Sequence, residues 1–306
     1  MVPGLSSVDL TAGRFISYGA LSFALLVMLR QSAKPTFNQA LSAVGLSVLG
    51  FTGYYLLLVF AIRDAGTGVP SLIIGTIPIW MMLLGKPLGL SWKSLAPGLL
   101  LTALGLSLMM LTSGQASGFT SGLTGDLAQA AQPTQPTHYW RGIASAVASM
   151  VCWTAFGLLN SAWLKRHPEV RATDWANWLG CATGLGALLM WFLLGTESKV
   201  LFAHVDIQYF AIICILTGIS SAWLAIILWN IASQRLSASL SGQLIVSETV
   251  FALVYSYALD GQWPRWIEGL ACVLFVLGIL ATIRAHGPQS PAFAEPSGRQ
   301  TVKDAT

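Results

Sequence analysis

Only 9% of the 306 residues carry a charged side chain, where a water-soluble domain carries about 25%. So little charge cannot clothe a water-facing surface, which excludes an ordinary soluble enzyme or binding domain. Histidine and cysteine are scarce too. The four histidines, His138, His167, His204 and His286, fall in connecting segments and none begins an HExxH pattern, so a helix-borne zinc hydrolase is excluded. Cys152, Cys181, Cys214 and Cys272 stand singly inside apolar runs. Their spacings fit neither a zinc site nor a disulfide framework, and thiols in such surroundings act as small packing residues. No GxxxxGK[ST] stretch is present, so ATP-driven work by this chain alone is not expected. The first nine residues lack a basic n-region and a small-residue cleavage site, and no cleavable signal peptide is read there. The formal net charge is +4, but the basic residues are scattered rather than clustered with aromatics, which argues against a nucleic-acid partner. No metal or cofactor is implied.

What is abundant is apolar: hydrophobic residues reach 55% and the mean hydropathy is +0.68. Stretches of about 20 apolar residues, enough to cross a bilayer, occur at 9–29, 39–61, 66–85, 93–112, 140–164, 174–195, 207–231, 237–259 and 265–284. The expected fold class is therefore an all-α membrane protein, a polytopic bundle of nine helices in contact with lipid. Residues 113–139, rich in Gly, Ser, Thr, Gln and Pro, read as a flexible connector, and 286–306 as a disordered tail. If the segments alternate, one set of ends carries Arg30, Lys34, Lys86, Lys93, Lys165, Arg166, Arg171, Arg235, Arg284, Arg299 and Lys303. The other carries only Arg14, Arg63, Arg141, Lys199 and Arg265. The positive-inside rule then puts the C-terminus in the cytoplasm and the N-terminus outside.

An internal repeat is legible across the connector. The stretch at 61–78, AIRDAGTGVPSLIIGTIP, lies on ASQRLSASLSGQLIVSET at 232–249 with an offset of 171. The following helices align through Gly105 and Gly278 with an offset of 173. Four segments precede the connector (first repeat, 1–112) and five follow it (second repeat, 140–285), so helix 140–164 has no partner. A first helix is expected to be missing, either because the true start lies upstream or because the protein is a shortened version. Five helices per half, an odd number, would invert the second half relative to the first, as in many transporters.

Several stretches carry a family resemblance: DLTAGRFISYGALSFALL with its Arg near the start, SLIIGTIPIW around Pro78, RGIASAVASMVCWTAFGLLNSAWLKRHPE, and LWNIASQRLSASLSGQLIVSETVFALVYSYALDGQWP before a Gly-rich last helix. Together, over 9–285, the sequence resembles the drug/metabolite transporter superfamily of the EamA type, in particular a bacterial inner-membrane branch. The resemblance implies ten helices in two five-helix repeats and location in the inner (cytoplasmic) membrane. One departure is that the Glu commonly found after the family's fourth helix is replaced in LLGKPLGL by Lys86, with Asp260 at the second-half position. That position is thought to be structural.

Glu248 is the most informative residue, with about ten apolar or small residues on either side. A charge at mid-bilayer costs on the order of 3 kcal/mol on insertion scales, so such a group faces a polar cavity, pairs with a cation or holds a proton. The bland reading is a neutral Glu bonded to the next helix. Helical spacing puts Ser241, Glu248 and Tyr255 on one stripe, which would line a polar path or simply pack. Pro78, beside Gly75 and Thr76, interrupts the first-half helix at the depth matched by Thr249 in the second. Arg14 would attract an anion or pair with Glu248, although snorkelling to the interface is the simpler expectation. Tyr54, Tyr55, Trp153, Asn160, Trp229 and Asn230 would line a cavity or, more simply, bond helix to helix. Trp92, Trp140, Trp163, Trp175 and Trp178 read as interfacial belt residues, and Gly180 and Gly184 as a GxxxG contact. The expected function is a secondary transporter exporting or exchanging a small metabolite or drug-like compound by alternating access. A proton is the candidate coupling ion and a homodimer a candidate assembly. The substrate or proton site is drawn from Glu248, Tyr255, Ser241, Pro78, Thr76, Thr249, Arg14, Asn230 and Tyr55. A non-transporting scaffold or assembly protein is the alternative. A membrane-embedded enzyme is disfavoured because no nucleophile, metal cluster or acid–base pair shares one depth.

Overall fold

A computed structural model describes residues 7–28, 34–87, 89–113, 138–196, 207–260, 263 and 265–286. The connector from 114 to 137 and the tail from 287 lie outside the described residues. The described chain is helical: α1 (Ser7–Met28), α2 (Phe37–Ala65), α3 (Gly68–Gly75), α4 (Ile77–Leu84), α5 (Trp92–Ser113), α6 (Tyr139–Arg166), α7 (Ala172–Leu194), α8 (Ile207–Arg235), α9 (Ala238–Asp260) and α10 (Trp266–His286). These fill the nine expected segments, with α3 and α4 sharing the third. Eight are long and apolar enough to cross a membrane, and the interrupted Gly68–Leu84 is shorter. Apolar side chains such as Phe23, Phe192, Leu185 and Leu216 are more than 60% exposed. That is the outer surface of a protein whose solvent is lipid.

Pro78 explains the interruption. It has no N–H to give to the carbonyl four residues back, and its ring crowds that carbonyl. The chain stops helical hydrogen bonding at Thr76, whose hydroxyl donates to Ile73 O at 2.6 Å, and restarts at Ile77. The counterpart α9 runs unbroken from Ala238 to Asp260. The interruption is therefore confined to the first half.

Three pairs of helices, α1 with α7, α5 with α10 and α4 with α9, pack antiparallel across the two halves. Gly19 of α1 faces Gly184 of α7, where an added Cβ would stand 2.6 Å from Gly184 Cα. Tyr18 Oη donates to Ala176 O at 2.6 Å. Asp9, at the start of α1, accepts from Trp191 Nε1 and from Thr196 N and Oγ1 at the end of α7, at 3.1, 2.9 and 2.6 Å. In α5 and α10, Gly105 meets Phe275 and Gly98 meets Gly278. Gly85, directly after α4, accepts from Ser239 N at 3.2 Å, and Gly242 lies on Met81. Small residues let these backbones approach, the usual device for joining helices in lipid. The GxxxG of α7 serves this contact. Further likeness lies in α2 and α8: each has 29 residues, and each turns π-helical near its middle, at Val48–Thr52 and Gly218–Leu224. A π turn inserts a residue into the helix. Gly50 there receives the Phe156 ring, and Gly218 receives the α1 backbone at Arg14 O.

Helix α6 has no first-half equivalent among the described residues. It packs along α2, where Ser149 Oγ donates to Tyr54 O at 3.0 Å and Gly142 lies on Ala65. At the same pole Asp64 binds Arg141 at 2.6 Å and Arg63 at 3.2 Å. Three expectations need correction. Trp175 and Trp178 are not belt residues: they are 0% and 5% exposed, with Trp175 stacked on Trp163 at 3.6 Å. Burying so large a ring in the core outweighs interfacial anchoring because its Nε1–H finds a partner in Asn160 Oδ1 at 2.7 Å. Trp92 and Trp140, at 57% and 78% exposed, keep lipid-facing positions. His286 is not in a connecting segment; it is the last residue of α10.

Candidate functional site

Helices α6, α8 and α9 enclose a cavity of about 230 Å3 lined by Trp153, Trp229, Ala232, Ser241, Leu244, Ile245 and Glu248. Its walls follow from helical spacing: Ser241, Leu244, Ile245 and Glu248 recur at three- and four-residue intervals and so share one face of α9. The Trp153 and Trp229 rings lie 5.7 Å apart and form an aromatic wall. Two buried hydrogen-bonding atoms of the lining residues, Trp229 Nε1 and Ser241 Oγ, have no protein partner. Glu248 keeps its side chain accessible. At mid-membrane depth an accessible carboxylate requires a polar recess, and orphaned buried donors call for a ligand or water.

A second group adjoins it. Tyr54 and Tyr55 stand edge to face at 4.9 Å, and the Tyr54 hydroxyl, buried without a partner, is within electrostatic reach of both Glu248 and Arg14. Arg14 does not snorkel. Its guanidinium carbon lies 4.8 Å from the centres of both the Phe15 and Tyr55 rings, and its Nε is buried without a partner. Cation–π attraction in a desolvated place is worth about 2 kcal/mol, enough to hold the head inward. No ion pair joins Arg14 to Glu248 among the described residues. The carboxylate and the guanidinium therefore face a shared aromatic environment without cancelling each other.

Other expected site residues fall elsewhere. Tyr255 is 65% exposed and does not line the cavity, so the stripe from Ser241 to Glu248 leaves the site two turns later. Asn230 is fully buried, accepting from Asn160 Nδ2 at 3.0 Å and donating to Ala172 O at 3.4 Å. With its amide engaged in joining α6, α7 and α8, it is a structural bond. Thr76 and buried Pro78 form the α3–α4 break, and half-buried Thr249 follows Glu248; none of the three lines the cavity. Thr76 Oγ1 also reaches Met150 Sδ at 3.2 Å. Trp153 and Trp229, for which helix bonding was the simpler expectation, line the cavity, and Tyr54, for which it was also the simpler expectation, lies in the adjoining group. The signal available for them was shared depth with Glu248 once the helices are aligned. Leu244, Ile245 and Ala232 gave none, being apolar residues like their neighbours. Among the described residues no group of His, Cys, Asp or Glu is arranged to hold a metal ion.

Known proteins resemble this chain in sequence and fold. Residues 140–284 match the EamA-like transporter family. Over 307 aligned residues the chain is 28% identical to Inner membrane protein YtfF of Escherichia coli (strain K12), covering 95% of this chain and 90% of that protein. A crystal structure of a protein with 19% identity superposes with a TM-score of 0.70 over 94% of this chain and 91% of its own, a likeness of fold. Eight of the described helices are long and apolar enough to cross a membrane, and the second half of the chain is similar to the EamA-like transporter family.

Proposed function

We propose that the protein is a secondary transporter of the inner membrane that moves a small metabolite or drug-like compound by alternating access between its two inverted halves. The carrying observation is the accessible Glu248 carboxylate in a recess walled by Trp153 and Trp229, with unpartnered Trp229 Nε1 and Ser241 Oγ beside it. A lone carboxylate among aromatic faces suits a cation, since Coulomb attraction and ring quadrupoles act together. The occupant is therefore a proton in one half of the cycle and an organic cation, or a neutral solute with an apolar body, in the other. Exchange of one for the other is what couples transport to a pH gradient. The scatter of basic residues supports a cytoplasmic C-terminus.

The test is Glu248→Gln in proteoliposomes with an imposed pH gradient and a panel of organic cations and neutral metabolites. Gradient-driven flux is expected to vanish while insertion and melting temperature stay as in the parent. Unchanged flux removes Glu248 from the coupling role.

A further inference from the structure

A larger cavity, of about 900 Å3, opens at the pole where α4, α6 and α10 end and α9 begins. Three cationic or cation-forming residues line it, Lys86, Lys165 and His286, and among the described residues no Asp or Glu does. Basic residues at this pole satisfy the topology rule and complement the carbonyl ends of helices. Those reasons explain lysines at helix ends but not their convergence on one recess. Lys86 lies 5.0 Å from the Trp92 ring centre, with Pro87 O at 3.4 Å as its hydrogen-bond acceptor. None of the three ion pairs drawn between described residues involves Lys86 or Lys165.

Two further observations point to a ligand. His286 Nδ1 is bonded to Thr282 O at 2.8 Å, so the ring donates there, and its Nε2 is buried with no partner. That nitrogen accepts from a hydroxyl when the ring is neutral and donates to an anion when the ring is charged. The N-terminus of α9 also opens on the cavity through Ser237 and Ala238, adding the positive end of a helix dipole. Between the charges the walls are apolar, with Leu84, Leu158 and Leu159 continuing to the lipid-facing surface. We propose that this cavity binds a phosphate group, held by the side chains of Lys86, Lys165 and His286. The phosphate belongs to an anionic phospholipid headgroup whose chains follow the leucine wall, or to a soluble organic phosphate entering from the same side.

The site is separate from Glu248 and does not depend on the transport reading. The full chain in a neutral detergent is titrated with phosphatidylglycerol, with phosphatidylcholine, and separately with glycerol 3-phosphate, following the melting temperature. A rise with phosphatidylglycerol alone identifies the headgroup, and a rise with glycerol 3-phosphate identifies a soluble ligand. A basic residue beside an anionic surface is worth about fivefold in affinity, so Lys86→Gln with Lys165→Gln weakens binding by about 25-fold. Lys86→Arg retains it, and Glu248→Gln leaves it untouched. An equal response to phosphatidylcholine, no response to either phosphate, or undiminished binding by the double variant overturns the proposal. Ligand-free melting temperatures of the variants, expected to match the parent, separate lost binding from lost folding.

Discussion

Replacing Asn160 by Ala removes the hub of the buried polar bonds among α6, α7 and α8. Asn160 is 0% exposed; its Nδ2 donates to Asn230 Oδ1 at 3.0 Å, and its Oδ1 accepts from Trp175 Nε1 at 2.7 Å. Interhelical hydrogen bonds in membrane proteins average about 0.6 kcal/mol and reach about 1.7. Two of them set a range of roughly 1 to 3.5 kcal/mol. Stranding the Trp175 donor in a place closed to water adds about 1 kcal/mol or more. The expected loss is about 2–4 kcal/mol. Asn230→Ala breaks the shared bond and only a long one at 3.4 Å to Ala172 O, so it costs about half as much. Because the shared bond is lost only once, the double variant falls short of additivity by about 1 kcal/mol. Equilibrium unfolding in mixed micelles, run as a double-mutant cycle, measures this directly. The reasoning is refuted by a coupling under about 0.3 kcal/mol, or by an Asn160→Ala cost no larger than that of lipid-facing Leu159→Ala.

Gly184→Val drives a branched side chain into the Gly19 backbone, where even a Cβ would stand 2.8 Å from Gly19 Cα. The expected destabilisation, about 3 kcal/mol or more, is read by the same unfolding assay. Gly45→Ala, in α2 with nothing within 4 Å of the added carbon, should instead be neutral or stabilising. Asp64→Asn frees Arg63 and Arg141, both more than half exposed. Its cost should be smaller than that of Asn160→Ala, and the difference from the parent should shrink as salt is raised.

Every spanning segment was legible because lipid enforces length and apolarity on any helix that crosses it, and 9–29 or 265–284 differ from Ser7–Met28 and Trp266–His286 by only a few residues. The break at Thr76 was legible through Pro78, whose missing N–H is a local fact of covalent structure. Side-chain direction was not. Arg14 was expected at the interface because a long cation on an isolated helix snorkels; the Phe15 and Tyr55 faces that hold it inward come from packing between α1 and α2. Asn230 was a candidate for the site with a helix-to-helix bond as the simpler expectation: a polar group in an apolar run needs a partner, and sequence does not say whether that partner is a ligand or Asn160. The π-helical turns of α2 and α8 left only faint marks, the Gly and Ser residues around 50 and 220.

The meeting of Gly19 with Gly184 has a mechanical consequence. Two bare backbones in contact have no rotamers with which to absorb a displacement, and Gly180 lies on Tyr18 and Ser22 beside them, so the two rods cannot slide without losing contact. Asp9, clasped by Trp191 and Thr196, fastens the same two rods at one end. The Tyr18 hydroxyl on Ala176 O holds them on the other side of that contact, so the two rods are pinned at three levels and move as one piece.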